Sequence, residues 1–137
     1  MFRSTISIRN NYSELERLLR EVTELMRASG MNPDSVRTVN LGMEEVITNI
    51  LKYGYDDDRE HQVEVVLAAK PGELLIEVRD DGREFNPLAH PKPDTAKPID
   101  QRQPGGLGIE FLRNLFDRVS YQREEGRNCL LLHKRLD

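Results

Sequence analysis

Glu45 and Asn49 stand four residues apart in Glu45-Val46-Ile47-Thr48-Asn49. On a helix, at about 100° per residue, they fall one turn apart on one face. That face is roughly opposite the apolar residues Met43, Ile47 and Ile50. A carboxylate stacked on a carboxamide can act as a general base and as an oxygen ligand for a hard cation such as Mg²⁺. A second pattern is Arg79-Asp80-Asp81-Gly82-Arg83-Glu84-Phe85-Asn86-Pro87. An Asp fixed at the end of a strand can accept a hydrogen bond from an exocyclic amine, and Gly82 lets the backbone approach a flat ligand. A third is Pro104-Gly105-Gly106-Leu107-Gly108-Ile109. Glycines at a helix start leave backbone N–H groups pointing at an anion, which the helix dipole also favours. Each pattern alone has an ordinary reading: a solvated helix face, a polar Asp-Gly turn, a flexible hinge. The third is not a P-loop, because no Gly-Lys-Ser/Thr follows.

Helices and strands must position these residues. Phe2 to Ile8 alternates and reads as a strand. Ser13-Glu14-Leu15-Glu16 reads as a capping box opening a helix that ends at Gly30. Asn32-Pro33 reads as a cap and first turn, with the helix running to Tyr53-Gly54. Gln62 to Lys70 and Glu73 to Arg79 read as strands joined at Pro71-Gly72. Leu107 to Phe116 reads as a short helix. Val119 to Arg123 and Asn128 to Lys134 read as a last hairpin about Glu125-Gly126. The order β-α-α-β-β-loop-α-β-β predicts an α+β two-layer sandwich, a mostly antiparallel sheet with helices on one face. Pro87 to Pro104 holds five of the seven prolines, which excludes helix and strand there.

The remaining composition narrows the function. The chain has 137 residues and a net charge of −4, with 32% charged and 37% hydrophobic residues. That length suits one domain with a real core. The charge balance gives no footprint for direct nucleic-acid binding and no basic patch for a membrane. No apolar stretch approaches the ~18 residues of a membrane span, and no signal-peptide pattern opens the chain. The single cysteine, Cys129, cannot staple the fold and points to a reducing, cytoplasmic setting. His61, His90 and His133 have no metal-ligand spacing.

Taken together and in order, the three patterns resemble the N-box and the first and second glycine boxes of the Bergerat ATP-binding fold. Gyrase, histidine kinases and the mismatch-repair ATPases share that histidine-kinase-like ATPase fold. The closer resemblance is to its small single-domain branch, the anti-sigma-factor serine/threonine kinases. Glu44 to Ile50 resembles that branch's N-box, Arg79 to Pro87 its first glycine box, and Gly105 to Ile109 its second. Glu84 stands where much of the wider fold has another glycine, a change the small branch often shares. The resemblance covers nearly the whole chain and implies one domain over 1–137, with residues 86–104 as an ATP lid. It implies that Asp80 binds the adenine amino group and Gly82 lines the base pocket. Asn49 would hold Mg²⁺, and Glu45 would be the catalytic carboxylate. Gly105, Gly106, Leu107 and Gly108 would wrap the phosphates, with Lys92, Lys97 and Arg102 nearby in the lid. The implied partners are a STAS-domain anti-anti-sigma protein and a sigma factor, and the family often pairs with a second copy through the first strand and helix. The alternative is a nucleotide-dependent binding module that uses the same site and transfers nothing; a carboxylate at Glu45 favours transfer.

Overall fold

The computed structural model describes residues 2–86 and 106–136, with the side chains of 106–109 outside that description. The expected lid, with Lys92, Lys97 and Arg102, and Gly105 of the glycine run therefore lie outside the described residues.

The elements follow the expected order: β1 (Phe2–Arg9), α1 (Ser13–Ala28), α2 (Pro33–Tyr53), β2 (Gln62–Lys70), β3 (Glu73–Asp80), α3 (Gly106–Leu115), β4 (Arg118–Glu124) and β5 (Arg127–Arg135). The strands form one five-stranded sheet in the order β1-β2-β3-β5-β4, with every pairing antiparallel. Both hairpin turns use the left-handed region, at Gly72 (φ 82°) and at Glu125-Gly126 (φ 51° and 76°).

Alternation along the strands sends one side chain in two toward the helices. Ile6, Val65, Val78, Leu130 and Tyr121 form one such row across all five strands. Leu18, Val22 and Met26 of α1, with Val39, Met43 and Ile47 of α2, are fully buried in the same core. Leu112 of α3 and Phe116 close its third side. The helices therefore cover one face of the sheet. Among the described residues, no helix is long and apolar enough to cross a membrane.

Asn32 caps α2 as expected, its side chain accepting from the Ser35 N–H at 2.8 Å. The capping box at Ser13 is not formed. Ser13 is already helical, and Tyr12 precedes it without a side-chain cap. Asn11 supplies the oxygen instead, accepting from the Glu14 N–H at 3.2 Å. Glu14 turns back to β1, where the Arg9 N–H and guanidinium donate to it, and Arg17 holds it from the next turn. Each arginine supplies a charge-assisted bond that holds Glu14 against β1. At the other end α1 closes in a Schellman motif, with Gly30 N–H on the Arg27 carbonyl and Met31 N–H on that of Met26.

Candidate functional site

Asp80 is the last residue of β3 and belongs to the helix-facing register, one pair beyond Val78 and Leu130. It is only 5% exposed. Directly opposite it on β5 stands Asn128, 7% exposed. Asn128 Nδ2 donates to Asp80 Oδ1 at 3.0 Å, and the Gly82 N–H donates to the same oxygen at 2.9 Å. Among the described residues nothing donates to Oδ2. Burial raises the Asp80 pKa above the ordinary carboxylate value, and the Asn128 and Gly82 donors oppose that rise.

The next residue behaves differently. The Asp81 side chain is half exposed and faces His61, 3.3 Å from its Nδ1. Asp57 takes the other ring nitrogen, and Tyr55 stacks on the imidazole with ring centroids 4.3 Å apart. The histidine pKa is raised, chiefly through the Asp57 bond. The Asp-Asp pair is thus divided, with one carboxylate in the interior and one on the surface.

Asp80 opens into a cleft between sheet and helices. Val78, Leu130 and Tyr121 form the sheet side, Val46, Ile50 and Tyr53 come from α2, and Leu112 comes from α3. Phe85 and Arg83 contribute from the chain leaving β3. The walls are thus apolar and partly aromatic, with Asp80 and Asn128 at one end, which suits a flat heterocycle carrying an amino group.

Asn49 also lines this cleft, on the α2 side. It sits on the shoulder of the helix, between the solvated face and the buried stripe. Its Nδ2 donates to Glu45 Oε1 at 3.2 Å, which joins the expected pair and leaves the amide oxygen as an acceptor. Glu45 is half-buried one turn back, while Glu44 is exposed. Among the described residues no group of three His, Cys, Asp or Glu could hold a metal ion. One amide oxygen beside one carboxylate nevertheless fits Mg²⁺, which commonly takes one or two protein ligands plus phosphate and water.

Gly82 does not line the cleft. A Cβ there would lie 2.5 Å from the Gly54 carbonyl oxygen and 2.9 Å from Asp80 Oδ1. The close approach of the α2 end and of the Asp80 carboxylate therefore requires a glycine at this position. The Arg83 N–H bonds the Gly54 carbonyl at 2.8 Å, and the Arg83 guanidinium caps the Tyr53 carbonyl. Arg123 of β4 holds the Gly82 carbonyl at 2.9 Å. These contacts tie the exit of β3 to the end of α2, so Asp80 and Asn49 face a common space. The backbone of Gly106 and Gly108 lies in the first turn of α3, one residue earlier than expected, and Leu107 lies between them.

Asn128 is the site residue that the sequence does not reveal. It was legible only as the first residue of a strand. Its 48-residue separation from Asp80 hides the contact until the β3–β5 register is known.

Comparison with known proteins agrees with this fold. The model of the histidine kinase-like ATPase domain matches residues 8–134. The chain is 28% identical over 95 residues to the serine/threonine-protein kinase BtrW of Bordetella bronchiseptica, covering 69% of this chain and 67% of that protein. It is 26% identical over 106 residues to the serine-protein kinase RsbW of Bacillus thuringiensis, covering 74% and 66%. The chain thus spans about two-thirds of the length of these relatives. A crystal structure of the RsbU and RsbW domains of a Mycobacterium tuberculosis protein superposes with a TM-score of 0.69 at 15% identity, over 99% of this chain and 33% of that one. At that identity the superposition establishes the fold alone. A family match running from the end of the first strand to the end of the last leaves one placement: the chain belongs to the histidine kinase-like ATPase domain family.

Proposed function

We propose that the chain is an ATP-dependent serine/threonine kinase and anti-sigma factor. It transfers a phosphoryl group from ATP to a hydroxyl of a STAS-domain anti-anti-sigma protein and, in its other partnership, holds a sigma factor. The observation that carries this reading is the cleft itself, with a buried carboxylate at one end and the Glu45–Asn49 pair on its α2 side. The names of the similar kinases support the same reading.

In this mechanism adenine lies between Val78, Ile50 and Leu112, and Asp80 Oδ2 accepts from its amino group. The triphosphate leaves along α2 toward the first turn of α3. Gly105, Gly106, Leu107 and Gly108 present backbone N–H groups to it, and Leu112, on the same helix, touches the base. Asn49 would hold Mg²⁺ through its amide oxygen, and the ion would neutralise phosphate charge. Glu45 takes the proton from the attacking hydroxyl. The protein's contribution is chiefly positioning and charge stabilisation, as is usual for phosphoryl transfer. A single ATP-binding domain with residues 86–104 as its lid, a cytoplasmic setting and pairing through the β1–α1 face belong to the same proposal. On that face Arg17 is already engaged by Glu14, Glu21 and the Ser7 carbonyl.

The test is incubation with radiolabelled ATP and candidate STAS-domain proteins. Label appears on the partner with the wild type. Glu45→Ala retains ATP binding and loses roughly 10²–10⁴ in transfer rate. Asn49→Ala weakens both binding and transfer. Glu44→Ala behaves as wild type, because its side chain is exposed and points away from the pair. Tight ATP binding with no label on any candidate replaces the kinase with a nucleotide-dependent binding module.

A further inference from the structure

Asn128 is a polar side chain, 7% exposed, in a strand whose inward neighbours Leu130 and Leu132 are apolar. Each valence of its carboxamide is occupied. Nδ2 donates to Asp80 Oδ1 at 3.0 Å and to the Arg83 carbonyl at 2.7 Å. Oδ1 accepts from the Phe85 N–H at 3.2 Å and from the Tyr121 hydroxyl. Two donors and two acceptors exhaust an amide. No other side chain of this size supplies both kinds at this spacing. An ionised aspartate could not donate, and a leucine could do neither.

The four partners differ in what they do. Asp80 is the proposed base-recognition group, Arg83 and Phe85 belong to the chain leaving β3, and Tyr121 walls the cleft. We propose that Asn128 is the positioning residue of the nucleotide cleft: it fixes the Asp80 carboxylate with one oxygen left for the ligand, and it pins the exit of β3 against the same wall. This inference rests on the nucleotide reading above. It adds that discrimination for an amino group over a carbonyl at the purine 6-position depends on a residue that acts through Asp80.

The reason is that Asp80 must be both oriented and ionised. Desolvation favours its protonated form, and the Asn128 donor counters it. A protonated Asp80 could donate to a 6-oxo group, so the preference would narrow. The ionisable groups around the pair are Asp81 beyond Asp80, Tyr55 after α2, Arg123 of β4 on the Gly82 carbonyl, Arg83 on the end of α2, and Tyr121.

The experiment measures ATP and ITP affinity by calorimetry for wild type, Asn128→Asp and Asn128→Leu, with folding checked by circular dichroism. Wild type prefers ATP. In Asn128→Asp, two carboxylates stand where a donor met an acceptor, and ATP affinity falls about ten-fold near pH 8. A proton shared by that pair restores the missing donor, so most of the loss is recovered as pH is lowered to about 6. In Asn128→Leu, the ratio of ATP to ITP affinity falls at both pH values. A folded Asn128→Asp that binds both nucleotides as wild type does overturns the inference. So does an equal loss for ATP and ITP in both variants with no recovery at low pH, which marks a purely structural role. Should Asn128→Leu not fold, the pH recovery of Asn128→Asp decides alone. A wild type that binds neither nucleotide overturns the function reading and this inference with it. One that binds ATP while the variants do too overturns this inference only.

Discussion

Glu14 is buried at the start of α1, yet it stays ionised because of its partners. The Arg17 guanidinium, and then the Arg9 N–H and side chain, hold its pKa down at about 2, against an ordinary 4.5. A carboxylate lowered on folding stabilises the native state above its unfolded pKa, and that contribution is lost as pH falls toward the folded value. Glu14 should therefore support stability fully above about pH 4.5 and lose its contribution between there and about pH 2. Denaturant unfolding at a series of acidic pH values should show a steeper acid loss for wild type than for Glu14→Gln. Parallel curves would mean that the Arg9–Glu14–Arg17 contacts are not formed in solution. The sequence placed Glu14 in a helix start but assigned the cap to Ser13. The residue that reaches back to β1 could not be identified before β1 was set beside α1. Asn128 was hidden for the same reason, since an Asn opening a strand carries no local signal.

At the scale of elements, local chemistry fixed most boundaries. Asn32-Pro33 marks the start of α2, and Asn32→Ala should cost about 1 kcal/mol in chemical denaturation. Pro71-Gly72 and Glu125-Gly126 mark the hairpins, because Gly at positive φ carries no Cβ penalty. Gly42 was not legible in this way. It lies inside α2, where glycine is normally unfavourable, and a Cβ there would meet the Phe116 ring at 2.3 Å. Phe116 is 4% exposed and has little room to move. The close approach of α3's end to α2 therefore needs this glycine. Gly42→Ala should gain up to about 1 kcal/mol of helix propensity and lose more to overpacking, roughly 1–3 kcal/mol. Thermal unfolding should show a lower Tm, partly regained in Gly42→Ala with Phe116→Leu. An unchanged or raised Tm in the single variant would contradict this packing.

For the molecule as a whole, the α+β class and the helices on one face followed from the order of the segments. The hairpins β2–β3 and β4–β5 are neighbours in sequence and were readable. The β3–β5 contact that joins them is not local, and it is the one that builds the cleft by setting Asp80 against Asn128. Gly82 was recognised by its place in the pattern, but its close approach to the Gly54 carbonyl and to Asp80 Oδ1 could be read only from the fold. The central claim is that the cleft recognises adenine through Asp80, and calorimetry of Mg-ATP binding to wild type and Asp80→Asn tests it most directly. In the variant, the amide oxygen can keep the bonds from Asn128 and Gly82, so the fold is retained. The NH₂ then stands where Asp80 Oδ2 stood and opposes the adenine amino group. The account predicts that wild type binds and that the folded variant loses about 5–150-fold in affinity or binds undetectably. Wild-type affinity in a folded Asp80→Asn would contradict it.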